Sequence, residues 1–186
     1  VPISRDSKTG FYRAHSGILT IPTSAHNATS TGHLWLINPI GSTVKGRVRR
    51  LRETVQTVAG AIDLTAPRQL YSLFTFTGTA SGATITPAKR DSTDAAAQVS
   101  LRTAMTGLTI SLGATVRHTG IPGIVATASS ATVQTMLPPC IFPPWDPEEE
   151  ECLVLRAGEG LVLWSADAST TANRRLFADL AWEEYE

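Results

Sequence analysis

Arg175-Leu-Phe-Ala-Asp-Leu-Ala-Trp182 sets Leu176, Ala178, Leu180 and Trp182 in alternation with Arg175, Phe177, Asp179 and Ala181. A period of two with one apolar face predicts a half-buried β-strand. Just upstream, the apolar runs Cys152-Leu-Val-Leu-Arg156 and Leu161-Val-Leu-Trp164 flank Ala157-Gly-Glu-Gly160. That pattern predicts two strands joined by a tight turn. With Trp182 and Tyr185 in the final stretch, this end of the chain is expected to be tied into a sheet.

Working outward, the same β chemistry recurs. Gly17-Ile-Leu-Thr-Ile-Pro22 predicts a first strand stopped at Pro22, and His33-Leu-Trp-Leu-Ile37 a buried strand feeding an Asn38-Pro39 turn. Leu70-Tyr-Ser-Leu-Phe-Thr-Phe-Thr77 places Phe74 and Phe76 on one face and Leu73 and Thr75 on the other, with a turn expected over Gly78 to Gly82. Short strands are expected at 83–86, 98–102, 108–112 (continuing over 114–118), 124–127 and 132–136. Lys89 to Ala97, with Asp residues before an alanine triplet, is the one segment whose composition permits a short helix. Many short strands with turn signals between them predict an all-β chain, folded as an antiparallel β-sandwich or jelly roll with an extended N-terminal leader.

Two boundaries divide the chain. Residues 1–16 mix charges, a glycine and the adjacent aromatics Phe11 and Tyr12 with no period, and read as an N-terminal arm. Residues 17–186 read as a single β domain carrying a proline-rich loop at 137–151. Prolines 138, 139, 143, 144 and 147 make residues 137–147 extended and semi-rigid and interrupt regular pairing. Within the loop, Ile141, Phe142 and Trp145 either cover an open end of the core or anchor another subunit.

Val44 to Val58 carries the clearest charge pattern. Lys45, Arg47 and Arg49 alternate with Val44, Gly46 and Val48. From Leu51 the phase flips, with Arg50 and Arg52 on even positions and Glu53 turned inward. A β-bulge at Arg49 and Arg50 would produce that flip. The cations are either a solvated face that discourages edge pairing or a contact patch for an acidic neighbour or for DNA. The run Glu148, Glu149, Glu150 and Glu151 is a solvated rim, or the complement of such a basic strand on a neighbouring copy.

Composition excludes more than it assigns. Sixteen basic residues balance sixteen acidic ones, so general attraction to nucleic acid or an anionic membrane is not expected. No apolar stretch is long enough to span a bilayer and no signal peptide is evident, so a soluble protein made in a cytoplasm is expected. Cys140 and Cys152 flank the proline-rich loop and could close it, although buried thiols are favoured. His15, His26, His33 and His118 lack metal-ligand spacing, and there is no nucleophile elbow, phosphate loop or dinucleotide fingerprint. Asp63, Asp91, Asp94, Asp146, Asp167 and Asp179 could supply a carboxylate pair only if the fold brought two together. No cofactor, metal or enzymatic activity is expected.

The stretch Leu34-Trp-Leu-Ile-Asn-Pro-Ile-Gly-Ser42 leads into the basic strand Val44 to Arg52. Downstream, Leu155-Arg-Ala-Gly-Glu-Gly-Leu-Val162 and Ala181-Trp-Glu-Glu184 close the chain. Together these motifs resemble small all-β virion structural proteins of tailed bacteriophages. The resemblance covers about half the chain, at its two ends. It implies a capsid decoration or cement protein that bridges neighbouring subunits of the major capsid protein or other virion components. It also implies a homo-oligomer, for which a trimer would suit a local threefold position, and a location in the virion. The expected contact residues are Phe11, Tyr12, Lys45, Arg47, Arg49, Arg50, Arg52, Phe142, Trp145, Glu148, Glu149 and Glu150. The alternative is a carbohydrate- or receptor-binding sandwich of a head or tail fibre; of Trp145, Tyr71 and Trp35 as stacking platforms for sugars, Trp145 is the fair candidate, since Trp35 sits inside an apolar run and reads as core.

Overall fold

The computed structural model describes residues 8–20, 32–57, 62–63, 68–120, 124–125, 133–136, 140–141, 153–165 and 174–186. All regular structure among them is β. The strands are β1 (Lys8–His15), β2 (Leu19–Thr20), β3 (Leu34–Asn38), β4 (Lys45–Thr57), β5 (Ile62–Asp63), β6 (Arg68–Ser81), β7 (Thr84–Ile85) and β8 (Ala88–Lys89). They continue with β9 (Ser100–Arg102), β10 (Thr106–Gly120), β11 (Ile124–Val125), β12 (Val133–Met136), β13 (Cys140–Ile141), β14 (Val154–Leu155), β15 (Glu159–Ser165) and β16 (Arg174–Tyr185). One antiparallel sheet runs β12-β4-β16-β1-β8, with β13 and β14 also on β4 and β2 beside β16. The other runs β10-β6-β15-β3-β9-β7, and β5 pairs with β11 apart from both. The two large sheets pack face to face as a β-sandwich.

The period of two decides which side chains fill the space between them. From the first sheet come Tyr12, Val48, Leu51, Leu155, Leu176, Leu180 and Trp182; from the second come Leu34, Leu36, Tyr71, Leu101, Leu161 and Leu163. The outer face of the second sheet carries its own apolar cluster of Trp35, Ile37, Phe74, Phe76 and Val162. Buried side chains on both faces explain why β3 is apolar at every position before Asn38. The Phe74 ring lies across Gly160, its cross-strand partner, where a Cβ would sit 2.3 Å from the ring.

Five expectations are corrected. Residues 8–15 are not an unpatterned leader but β1, paired with β16 along its length, and Tyr12 is 0% exposed, stacked on Trp182 at 5.8 Å. The reason is tertiary: β16 has a second edge to fill once β4 has taken the first. The two apolar runs around Gly158 are not a hairpin. β14 pairs with β4 in one sheet and β15 with β3 and β6 in the other, so the turn is a crossover between layers. Asn38 secures it, its Nδ2 donating to the carbonyls of Val44 at 2.7 Å and Leu155 at 3.0 Å.

The alanine segment forms no helix. The Asp91 carboxylate accepts from the Thr93 amide at 2.9 Å and hydroxyl at 2.8 Å, which hold it below the usual carboxylate range and make a local turn instead. The strand over 70–77 runs on through the expected turn to Ser81. Within the proline-rich loop, Cys140 and Ile141 do pair with β4. Of the expected strand over 17–22, Leu19 and Thr20 are strand and residues 21–22 lie outside the described residues, as do residues 1–7 and Cys152.

Candidate interaction face

The outward face of the first sheet is set by the three long strands β4, β16 and β1. The register shifts between Ala181 and Trp182, which pair with Arg50 and Val48 and leave Arg49 as the extra residue of a β-bulge. Before the bulge Val48 points inward; after it Leu51 and Glu53 do, and all three are buried. The bulge thus keeps Lys45, Arg47, Arg49, Arg50 and Arg52 on one side despite the change of phase.

Directly opposed residues in antiparallel strands share a face, so rows can be read across the sheet. Arg52 faces Asp179, which faces His15; Arg50 faces Ala181, which faces Arg13; Arg47 faces Glu183, which faces Phe11. Arg175 lies on the same side, since Leu176 points inward. Arg13 and Arg175 thus join the five cations of β4 on this side, beside the carboxylates of Asp179 and Glu183. A chain of zero net charge concentrates positive charge here.

Several of these cations have fixed positions. Arg49 donates to Glu183 Oε2 from Nε at 3.0 Å and from Nη2 at 2.5 Å. Arg13 Nη2 lies 3.7 Å from Asp179 Oδ2. The Tyr185 ring is flanked by the Arg47 guanidinium at 4.6 Å and Lys45 Nζ at 5.5 Å, within cation–π range. Arg90 stands 5.4 Å from the half-buried Phe11 ring.

Of the expected contact residues, Phe11, Lys45, Arg47, Arg49, Arg50 and Arg52 come together on this face. Tyr12 does not: its hydroxyl donates to the Ala95 carbonyl at 2.9 Å inside the core, and burial, together with the Glu184 and Asp94 carboxylates, pushes it up to about 12. Phe142, Trp145, Glu148, Glu149 and Glu150 lie outside the described residues. Tyr71 and Trp35, candidate sugar platforms, are buried in the inner core and the outer cluster respectively. Sequence reasoning missed Arg13, Asp179, Glu183 and Tyr185 as members of the face. The alternation over residues 175–182 set Asp179 on the polar face, but only pairing shows which cations it, Glu183 and Tyr185 meet.

Two polar clusters lie on the inward side. Glu184 is 1% exposed and accepts from the Gln98 and Val99 amides, both at 2.9 Å, and from Trp182 Nε1 at 3.1 Å. His33 Nε2 lies 2.8 Å from Ser165 Oγ, which Gln69 Nε2 reaches at 2.7 Å. The Ser165 hydroxyl is fully buried, which suits a satisfied core polar group rather than a nucleophile that meets substrate. Compared with known proteins, the chain matches no family model, no curated protein and no solved structure.

Proposed function

We propose that this chain is a structural component of a phage particle, a decoration or cement protein that holds neighbouring capsid subunits together through its faces. The observation that carries this reading is the outer face of β4, β16 and β1, where cations stand in rows beside aromatic rings on a bulged, ion-paired sheet. Such a face has what a bridging contact needs: positions fixed before binding, so that little side-chain freedom is lost on docking, and charge that selects an acidic surface. A protein neighbour is favoured over nucleic acid because the whole chain carries no net positive charge. Many modest contacts of this kind add up across a lattice by avidity.

The experiment is density-gradient fractionation of phage particles with an antibody to this chain. Co-banding with particles, with release as salt is raised through the range where charge contacts are screened, is the expected result. Arg50→Glu with Arg52→Glu is expected to lower particle occupancy at least about tenfold, in line with like-charge contacts at an interface. Retention of the protein at the top of the gradient at low salt would overturn the reading.

A further inference from the structure

The edges of the two large sheets are unequal. β8 is two residues long and ends on Lys89, and β7 is two residues long and is followed within two positions by Pro87. Short strands, lysines and prolines are the usual ways an edge is kept from pairing with another chain. β10, at the opposite end of the second sheet from β7, has none of these. It spans Thr106–Gly120, its hydrogen-bonded neighbour is β6, and the sequence carries no charge between Arg102 and Arg117 and no proline within the strand. Thr106, Thr109 and the run from Ser111 to Thr115 are exposed.

The central part of that edge is also self-complementary. Gly107-Leu-Thr-Ile-Ser-Leu-Gly113 reads the same in chemistry from either end. Leu108 through Leu112 pair with β6 in unbroken register from Gly78 to Phe74, and the register shifts fall just outside, at the two glycines. The regular, extended part of the edge is therefore the palindromic part. Leu108 and Ile110 already pack on the outer apolar cluster, whereas Leu112 is 42% exposed, one of three large apolar side chains in that state among the described residues.

We infer that β10 is a pairing edge for a second copy of this chain, in an antiparallel arrangement about a two-fold axis through Ile110. In that register Leu108 faces Leu112 of the second copy, Ile110 faces its own counterpart, Thr109 faces Ser111, and Gly107 faces Gly113. Apolar side chains meet on one side of the joined sheet and hydroxyls on the other, as directly opposed residues do in an antiparallel pair. The second copy satisfies the open backbone groups of the edge, covers Leu112, and extends the outer apolar cluster across the join. One self-complementary patch used twice is an isologous contact, which closes at a dimer. A second copy is favoured over an unlike partner because the edge matches itself in sequence and carries no charge to select another surface.

The test measures mass by sedimentation across a wide concentration series, with amide hydrogen exchange at both ends of that series. A monomer–dimer equilibrium is expected, with exchange over 107–113 slowing as dimer forms. Thr109→Lys with Ser111→Lys changes two exposed positions that face each other across the axis. It is expected to weaken association at least about 100-fold, since like charges across an interface cost several kcal/mol, while the melting transition of the monomer stays in place. Register is read by disulfide formation. A Thr109→Cys chain mixed with a Ser111→Cys chain should cross-link, above the background of native Cys140 and Cys152, far better than either does alone.

A chain that stays monomeric throughout, or a dimer whose 107–113 amides exchange unchanged and which tolerates both lysines, overturns the inference. Efficient cross-linking of the Thr109→Cys chain to itself overturns the register. The inference does not rest on the particle reading. A monomer that still bands with particles would sink the dimer alone, and a β10 dimer that never bands with them would sink the particle role alone.

Discussion

Glu184 shows what one buried carboxylate can do in a β-sandwich. Its three donors come from two places: the amides of Gln98 and Val99 at the entry to β9, and the indole of Trp182 beside it on β16. It therefore fastens the second sheet's approach segment to the first sheet. Glu184→Ala leaves three donors without that acceptor and is expected to cost about 3 kcal/mol or more in urea unfolding, while Glu184→Gln, which keeps one carbonyl oxygen, costs less. The neighbouring Tyr12 sets an alkaline limit. Its phenol titrates near 10 when unfolded and about 12 when folded. Between those values the unfolded chain holds fewer protons than the folded one, so stability falls as pH rises through that window and is unaffected by this group below it. Tyr12→Phe should flatten the decline in melting temperature between pH 10 and 12, where the unchanged chain should show it.

At the scale of elements, the β4 bulge and the β14–β15 crossover each have one residue that decides them. Arg49 is the extra residue, so its deletion restores simple alternation: Val48 in, Arg50 out, Leu51 in. The shortened chain is expected to fold with near-ultraviolet circular dichroism like the parent's, losing about 1–2 kcal/mol with the Glu183 ion pair and its hydrogen bonds. Deleting Val48 instead moves Arg49 into the inward position beside Trp182. Burying that cation should cost more than about 3 kcal/mol and broaden or abolish the melting transition. In the crossover, Gly158 has φ +81° and nothing nearer than 3.6 Å to an added Cβ. Gly158→Ala should therefore report backbone strain alone, about 1–2 kcal/mol, with Gly158→Asn costing less because asparagine tolerates that conformation.

For the molecule as a whole, a core shared by both sheets couples them. Leu51 comes from one sheet and Leu101 from the other, and both are fully buried in the same cluster. Leu51→Ala and Leu101→Ala are each expected to cost about 2–5 kcal/mol. Each should shift one common transition seen by both tryptophan fluorescence and far-ultraviolet circular dichroism, since neither sheet keeps its inner face covered without the other. Two separate transitions would show that the layers unfold independently. The uneven distribution of charge is a property of the same scale. A neutral chain with a basic outer face has matching acidity elsewhere, and the run from Glu148 to Glu151 accounts for four of its sixteen carboxylates.

The sequence by itself determined which way side chains point. The alternation of residues 175–182, the opposition of Phe74 and Phe76 to Leu73, and the phase flip at Arg49 and Arg50 all rest on the strand period, a local property of each backbone segment. It also determined the all-β class, through turn residues and β-prone runs that no long-range contact is needed to read. Only the tertiary structure decided which strand lies beside which. The runs 152–156 and 161–164 read as a hairpin because they are adjacent and β-prone, yet β14 and β15 found their hydrogen bonds in different sheets. Residues 8–15 read as an arm because their period is broken by glycine and charge, yet β16 offered them an open edge and Trp182 a surface for Tyr12. The basic face divides the same way. Its cations were legible along β4, but their carboxylate and aromatic partners sit more than a hundred residues downstream, and pairing between distant strands leaves no local mark in either one.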